Sequence, residues 1–288
     1  MGHGHPLRGR QGRLSSLLRF LLGLLAAAAC GAAFADAGEN AFQPTLGQPG
    51  KDVIWVPTPE TLVEKMLDMA RVMREDYVVD LGSGDGRMVI AAAKRGARSL
   101  GVEFNPEMVE LARRSAAAQG VAERARFVQG DMFEADVSNA TVLALFLLPH
   151  NLRRLTGKFL DMKPGSRIVS NAFPIDGWEA DEVGMAAGDC GNWCTALLYI
   201  VPARVAGTWR MPQGELRIEQ NFQRLSGELV SGGTRAPLAN PTLSGDRIGF
   251  TIGVTQFVGR VRGDAMSGEA TGAHHGQWKA IRTGGHDH

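Results

Sequence analysis

The chain has 288 residues, and 31 Lys and Arg stand against 30 Asp and Glu for a formal net charge of +1. That length suits one large domain or two, and an apolar content of 44% is enough to bury a core. So even a charge balance excludes a protein that holds nucleic acid mainly through its charge, and no nucleic-acid partner is expected.

Residues 1–35 contain no acidic residue and carry Arg8, Arg10, Arg13 and Arg19. A Leu- and Ala-rich run over residues 17–29 follows, and Ala33-Phe34-Ala35 then precedes Asp36. These are the charged, apolar and small-residue regions of a secretory signal peptide. They predict a periplasmic or secreted protein with no stable transmembrane span after cleavage. No twin arginine is present, which favours the general export route. A lipoprotein site at Cys30, an uncleaved anchor and an organellar transit peptide are the alternatives. Residues 36–52 are polar, contain Gly and Pro, and read as a linker.

Residues 53–57 form a short extended stretch. Thr58 is then placed to cap a helix, with Pro59 at its first position. Leu62, Met66, Met69 and Met73 recur at helical spacing and read as a core face. Residues 78–81 predict a buried strand. Gly82, Ser83, Gly84 and Gly86 follow in a turn, and from Arg87 a helical run begins that Gly96 stops. Strand, glycine turn and helix make a cradle for a nucleotide-like ligand, because bare backbone N–H groups can approach it. A phosphate-binding loop would need Gly-Lys-Ser/Thr, which is missing. A dinucleotide loop would place its third glycine where Arg87 stands, which argues against a nicotinamide oxidoreductase.

The next strand covers residues 99–103 and ends on Glu103. Asn105 and Pro106 open a helix to about residue 118. A third strand, 126–129, runs into Gly130-Asp131-Met132-Phe133. The apolar run 141–148 suits a central parallel strand buried on both faces. A helix through Leu152, Leu155 and Phe159 leads to a fifth strand at 168–170. Residues 181–187 and 194–201 then predict a closing antiparallel pair around Cys190-Gly-Asn-Trp-Cys194. Those two cysteines suit either a disulfide or free thiols in a turn. No His pattern completes a zinc site, and no metal is expected.

The order of elements describes an α/β, doubly wound, Rossmann-like sheet over residues 53–203. Past it, residues 204–283 alternate polar and apolar. A phrase recurs there, Leu225-Ser226-Gly227-Glu228, Leu243-Ser244-Gly245-Asp246 and Met266-Ser267-Gly268-Glu269, and reads as turns. A small antiparallel β-domain, barrel or sandwich, is expected.

The acidic-x-G-x-G-x-G pattern from Asp80 to Gly86 resembles motif I of class I methyltransferases that use S-adenosyl-L-methionine. Ligands of doubly wound sheets lie across the carboxyl ends of the strands, and Asp80, Glu103 and Asp131 are the acids there. Glu103 suits the ribose hydroxyls, since a carboxylate takes two donors. Asp131 suits the adenine amine, with Met132 and Phe133 beside the ring, and Asp80 the cationic amino end. The resemblance extends further. Trp55-Val56-Pro57-Thr58-Pro59, the whole run from Asp80 to Gly96, Gly101-Val102-Glu103-Phe104-Asn105-Pro106, Phe146-Leu147-Leu148-Pro149, and Phe173-Pro174 with Trp178 are similar to one family. It contains the mitochondrial lysine methyltransferase of the ATP synthase c subunit and many bacterial relatives, and the match covers roughly residues 53–185. It implies in-line methyl transfer to a nucleophile such as a protein lysine amine. The acceptor wall would then be Pro149 and His150 after the fourth strand, with Asn171 and Phe173 after the fifth. His150 suits a base or a capping role. The alternative is an exported binding protein with a methyltransferase fold, whose β-domain holds a ligand or partner.

Overall fold

Seven strands and four helices surround the glycine turn in the computed structural model, which describes residues 1–4 and 42–284. Residues 5–35 of the expected signal region and 36–41 of the expected linker lie outside the described residues. The strands are β1 (Tyr77–Leu81), β2 (Arg98–Glu103), β3 (Ala125–Gln129), β4 (Val142–Leu145), β5 (Arg167–Asn171), β6 (Glu182–Met185) and β7 (Thr195–Ile200). The helices are α1 (Glu60–Met69), α2 (Arg87–Lys94), α3 (Pro106–Ala118) and α4 (Pro149–Leu160). The sheet order is β3-β2-β1-β4-β5-β7-β6, parallel from β1 to β5, with β7 antiparallel to both its neighbours. The chain winds outward from β1 to β3 and then returns to lay β4 beside β1. That reversal leaves a crevice at the carboxyl ends of β1 and β4.

Period-2 alternation divides the core in two. Val78, Val142, Ala144 and Val169 pack with Leu62, Val63, Met66, Leu67 and Met69 of α1. Val79, Leu81, Leu143, Leu145 and Ile168 face Leu152, Leu155 and Phe159 of α4. Each fully buried Leu, Val or Phe contributes roughly 1.5–3 kcal/mol. Asn105 caps α3, its side-chain oxygen accepting from Glu107 N at 2.8 Å, and Pro106 takes the first helical position. Thr58 does not cap α1. The helix starts at Glu60 with Pro59 as its N-cap residue and no side-chain cap bond. Thr58 instead lies one residue outside, where its carbonyl accepts from Arg87. The apolar stripe of α1 also ends early. Met73 is past the helix end and exposed, because the chain leaves the helical path after Ala70.

The second sheet begins six residues after β7. Its strands are β8 (Gly207–Met211), β9 (Gly214–Asn221), β10 (Arg224–Ser231), β11 (Thr234–Pro237), β12 (Ala239–Ser244), β13 (Arg247–Ile252), β14 (Thr255–Arg262), β15 (Ala265–Thr271) and β16 (Gly276–Gly284). All neighbours are antiparallel, in the order β11-β10-β9-β8-β16-β15-β14-β13-β12. The two outer strands are consecutive in the chain, and Leu238 N between them donates to Gly227 O of β10 at 2.9 Å. The sheet is therefore a nearly closed barrel rather than a sandwich. Trp209, Phe250, Phe257, Met266 and Trp278 fill it. Two of the three recurrent Ser-Gly phrases are inside strands, not turns. Gly227 is within β10 and Gly268 within β15. A Cβ at Gly268 would stand 1.9 Å from Val258 O, so glycine is there to let strands approach closely. Only the phrase at Gly245 is a turn, between β12 and β13.

The two sheets belong to one compact unit that begins at Pro44. Phe222 of the β9–β10 turn stacks on Trp178, ring centroids 5.1 Å apart and planes 11° apart. Ala203 N donates to Gly245 O at 2.8 Å, and Gln223 donates to Glu179 O at 2.7 Å. Among the described residues no helix is long and apolar enough to cross a membrane.

Candidate functional site

The crevice between β1 and β4 holds a pocket of about 1010 Å³, counting its open mouth. Asp80, near the end of β1, lines it, followed by Gly82, Ser83 and Gly84. Gly84 has φ +54°, and a Cβ there would come within 2.8 Å of the Trp55 indole nitrogen. Only glycine lets the turn run this close beneath Trp55. Gly86 is absent from the lining. It begins α2 with φ +84°, and a Cβ on it would meet the Phe127 ring at 2.7 Å and Ala112 Cβ at 2.8 Å. Its part is to seat α2 against β3 and α3.

Three carboxylates converge on the pocket. Asp80 is buried, and it lines the pocket. Burial pushes its carboxyl up to about 8, with the negative charges of Glu103 and Asp85 adding to the effect. Glu103 accepts from Gly84 N at 3.0 Å with one oxygen and from Asn105 N at 2.9 Å with the other. Each oxygen keeps a lone pair. Asp131 accepts from Lys51, and from Phe133 N at 2.9 Å. The Lys51 ammonium is the first cause that holds its carboxyl below the ordinary range, and the Phe133 N–H is the second. Met132 lines the pocket beside it, and Met66, Met88, Met108, Phe104 and Phe146 supply apolar wall.

Residues 48–58, partly inside the expected linker, fold over this pocket as a strap. Trp55 N donates to Gln48 O at 3.0 Å and Gly47 N to Trp55 O at 2.9 Å, which closes the strap on itself. Lys51 ties it to Asp131, Asn151 donates to Asp52 O at 3.3 Å, and Arg87 donates to Thr58 O at 2.8 Å. Arg87 is in turn held by both oxygens of Asp85. The residue that replaces the third dinucleotide glycine is thus the clasp of the strap. Sequence reading gave Lys51, Trp55 and Arg87 no place in the site. The Trp-Val-Pro-Thr-Pro run was the available signal for the strap.

The acceptor candidates separate. Pro149 and His150 are exposed on the first turn of α4 and are not among the pocket lining. Asn171 is wholly buried, with neither amide atom paired among the described residues. Phe173 stands beside Phe146 and Trp193, and Trp193 had no assigned part in the sequence reading. Cys190 and Cys194 are joined by a disulfide across the β6–β7 turn, Cα atoms 5.2 Å apart. No metal-holding group of His, Cys, Asp and Glu occurs among the described residues.

An ANTKMT methyltransferase domain model matches residues 80–182. A protein-lysine N-methyltransferase of Saccharolobus islandicus (strain REY15A) is 42% identical over 152 residues, which make up 52% of this chain and 94% of that protein. The chain belongs to this methyltransferase family. The adenine nucleotide translocase lysine N-methyltransferase of Mus musculus is 36% identical over 119 residues, 41% of this chain and 52% of that protein. The chain thus spans about half the length of that relative. A solved RNA methyltransferase from Salinibacter ruber, in complex with S-adenosyl-L-homocysteine, is 41% identical and superposes with a TM-score of 0.48 over 52% of this chain and 96% of that one. Membership makes the protein an enzyme, and the family match runs from the end of β1 to the start of β6, including Asp80, Glu103 and Asp131 of the pocket. The barrel lies outside residues 80–182.

Proposed function

We propose that the protein transfers the methyl group of S-adenosylmethionine to a lysine amine of a protein acceptor. One observation carries the donor half: Asp80 is a buried carboxylate that lines a pocket also taking Glu103 and Asp131. A cationic ligand offers the compensation that a buried carboxylate needs. The residues fit the donor part by part. Asp80 and the glycine turn would hold its amino acid end, and Glu103 the ribose hydroxyls through its remaining lone pairs. Asp131 would hold the adenine amine, sharing its oxygens with Lys51, while Met132 lies beside the base. When bound, the donor supplies an electrophilic sulfonium methyl. The chain's own contribution is alignment and exclusion of water, since the strap covers the turn and Phe146 walls the far side. The lysine half is supported by the 42% identical relative, which is named for that acceptor.

Calorimetric titration with S-adenosylmethionine tests the donor, and a silent titration at millimolar donor would sink it. Methyl transfer to lysine-containing peptides tests the acceptor. Transfer to RNA alone would reject the lysine assignment.

We also propose that the protein works outside the cytoplasm, supported by the apolar run at residues 17–29 and by the Cys190–Cys194 disulfide, a bond that persists in oxidising compartments. The donor is made in the cytoplasm, so this proposal requires a supply of it on the other side. A fusion of residues 1–45 to a reporter active only after export decides it, and an inactive fusion rejects it.

A further inference from the structure

We infer that Phe146, Phe173 and Trp193 form an aromatic port for the alkyl-amine side chain of the acceptor, and that the Cys190–Cys194 disulfide holds Trp193 in that port; the inference rests on the crevice being a methyl-donor site.

Three elements deliver the rings to one place. Phe146 follows β4 directly, Phe173 lies two residues past β5, and Trp193 sits in the β6–β7 turn. Ring centroids are 5.1 Å apart for Phe146 and Trp193, 5.8 Å for Phe173 and Trp193, and 6.4 Å for Phe146 and Phe173. None of the three is fully buried, so each keeps surface for a ligand. Phe146 also lines the donor pocket. The port and the donor site therefore share a wall, as a transfer between two bound groups requires.

The backbone under the rings is strained and under-satisfied. Ala172 has φ +61°, a conformation that residues other than glycine rarely adopt. It turns Phe173 back, so that Phe173 N donates to Asn171 O at 2.7 Å and Ser170 Oγ donates to Phe173 O at 2.8 Å. Leu145 pairs with Ser170 in the sheet, which sets Asn171 beside Phe146. Asn171 is fully buried, with its amide oxygen and nitrogen both unpartnered among the described residues. Strain and an unsatisfied amide together mark a site that a ligand completes.

The chemistry of the port matches a lysine side chain. Aromatic faces pack the four methylenes of the side chain. The same apolar walls disfavour the charged ammonium, which favours the neutral amine needed for attack. The carboxylates that would hold the ammonium charged (Asp80, Glu103 and Asp131) line the donor pocket instead.

Trp193 has short tethers on both sides. Its N–H donates to Cys190 O at 2.9 Å, and Ala186 N donates to Cys194 O at 2.8 Å. Gly191 and Asn192, which precede it, are exposed, and the disulfide spans only four positions. Without that bond Trp193 is held only by these backbone hydrogen bonds and its packing on Phe146 and Phe173, a looser tether.

The test uses the full chain, poly-L-lysine as acceptor probe and S-adenosylmethionine as donor. Trp193→Ala is expected to lower kcat/KM for poly-L-lysine by about tenfold, with donor Kd by calorimetry unchanged within about twofold. Trp193→Phe is expected to recover most of that loss. The double variant Cys190→Ser with Cys194→Ser, and wild type reduced with dithiothreitol, are expected to lose several-fold in kcat/KM at constant donor Kd. Full activity in Trp193→Ala overturns the port. So does a donor Kd that weakens in step with activity, because Trp193 would then serve the donor pocket. Wild type that binds S-adenosylhomocysteine yet neither binds nor methylates poly-L-lysine overturns it as well. Wild type that binds no donor at all refutes the donor reading instead.

Discussion

Asp80 has a carboxyl at about 8 when folded, against 3.8 for the ordinary group. Between those values the folded chain keeps a proton that the unfolded chain has lost. Stability of the ligand-free protein therefore falls as pH rises from about 4 to about 8, and the cost is constant above that. Asp80→Asn removes the buried charge, so its melting temperature should exceed that of wild type at pH 9 and converge with it at pH 4. Each kcal/mol recovered raises the midpoint by about 2–4 °C. Calorimetric scans at the two pH values measure this, and equal midpoints at pH 9 would show that Asp80 is solvated. A cationic ligand reverses the balance by favouring the ionised form. Donor affinity should rise with pH up to about 8, with proton release on binding below it. Titration in two buffers of different ionisation enthalpy reads that release. Glu103→Ala should weaken donor binding by about 1–3 kcal/mol, through lost hydroxyl contacts and a loosened Gly84; unchanged affinity would remove Glu103 from the ribose. These acids were legible in the sequence because each closes a strand whose apolar run is local. Lys51 was not, since its partner Asp131 is 80 positions away and only the folded strap brings them together.

The strand, glycine turn and helix from Tyr77 to Lys94 form the element that tolerates least change. Gly86→Ala forces a Cβ into the Phe127 ring and Ala112 at a positive φ. A loss of about 2–4 kcal/mol is expected from strain and overpacking combined, read as a lower urea midpoint. A stability loss of less than about 0.5 kcal/mol would mean that α2 is not seated on β3. The strap gives the opposite expectation. Lys51 is exposed and its pair with Asp131 is screened by solvent, so Lys51→Met should leave the urea midpoint nearly unchanged. Its effect should appear in donor dissociation, measured by stopped-flow with a fluorescent donor analogue. The order of helices and strands was readable because periodicity is a property of the segment itself. The strap and the strand-embedded Gly227 and Gly268 were not. A glycine in a turn and a glycine under a crossing strand look alike until the partner strand is in place.

At the scale of the whole molecule, the sheets meet at the Trp178–Phe222 stack. Phe222 itself adopts φ +52° to reach across. Phe222→Ala should therefore lose about 1–3 kcal/mol of ring burial while leaving donor affinity intact. A two-step melt in that variant would show the halves uncoupled, and an unchanged single transition would make the stack dispensable. That the tail is β-rich was legible from its alternation. Its closure was not, since the pairing of β8 with β16 joins residues some seventy positions apart.

That pairing has a consequence for how the molecule is made. The last strand among the described residues, β16, sits in the middle of the barrel between β8 and β15. During synthesis the seven-stranded sheet has all its strands once Ile200 has emerged. Until β16 arrives, the strands β8 to β15 lack the one that joins β8 to β15 and completes the barrel wall. An interruption of translation just before Gly276 would thus release an enzyme half that is finished and a second half with two raw sheet edges.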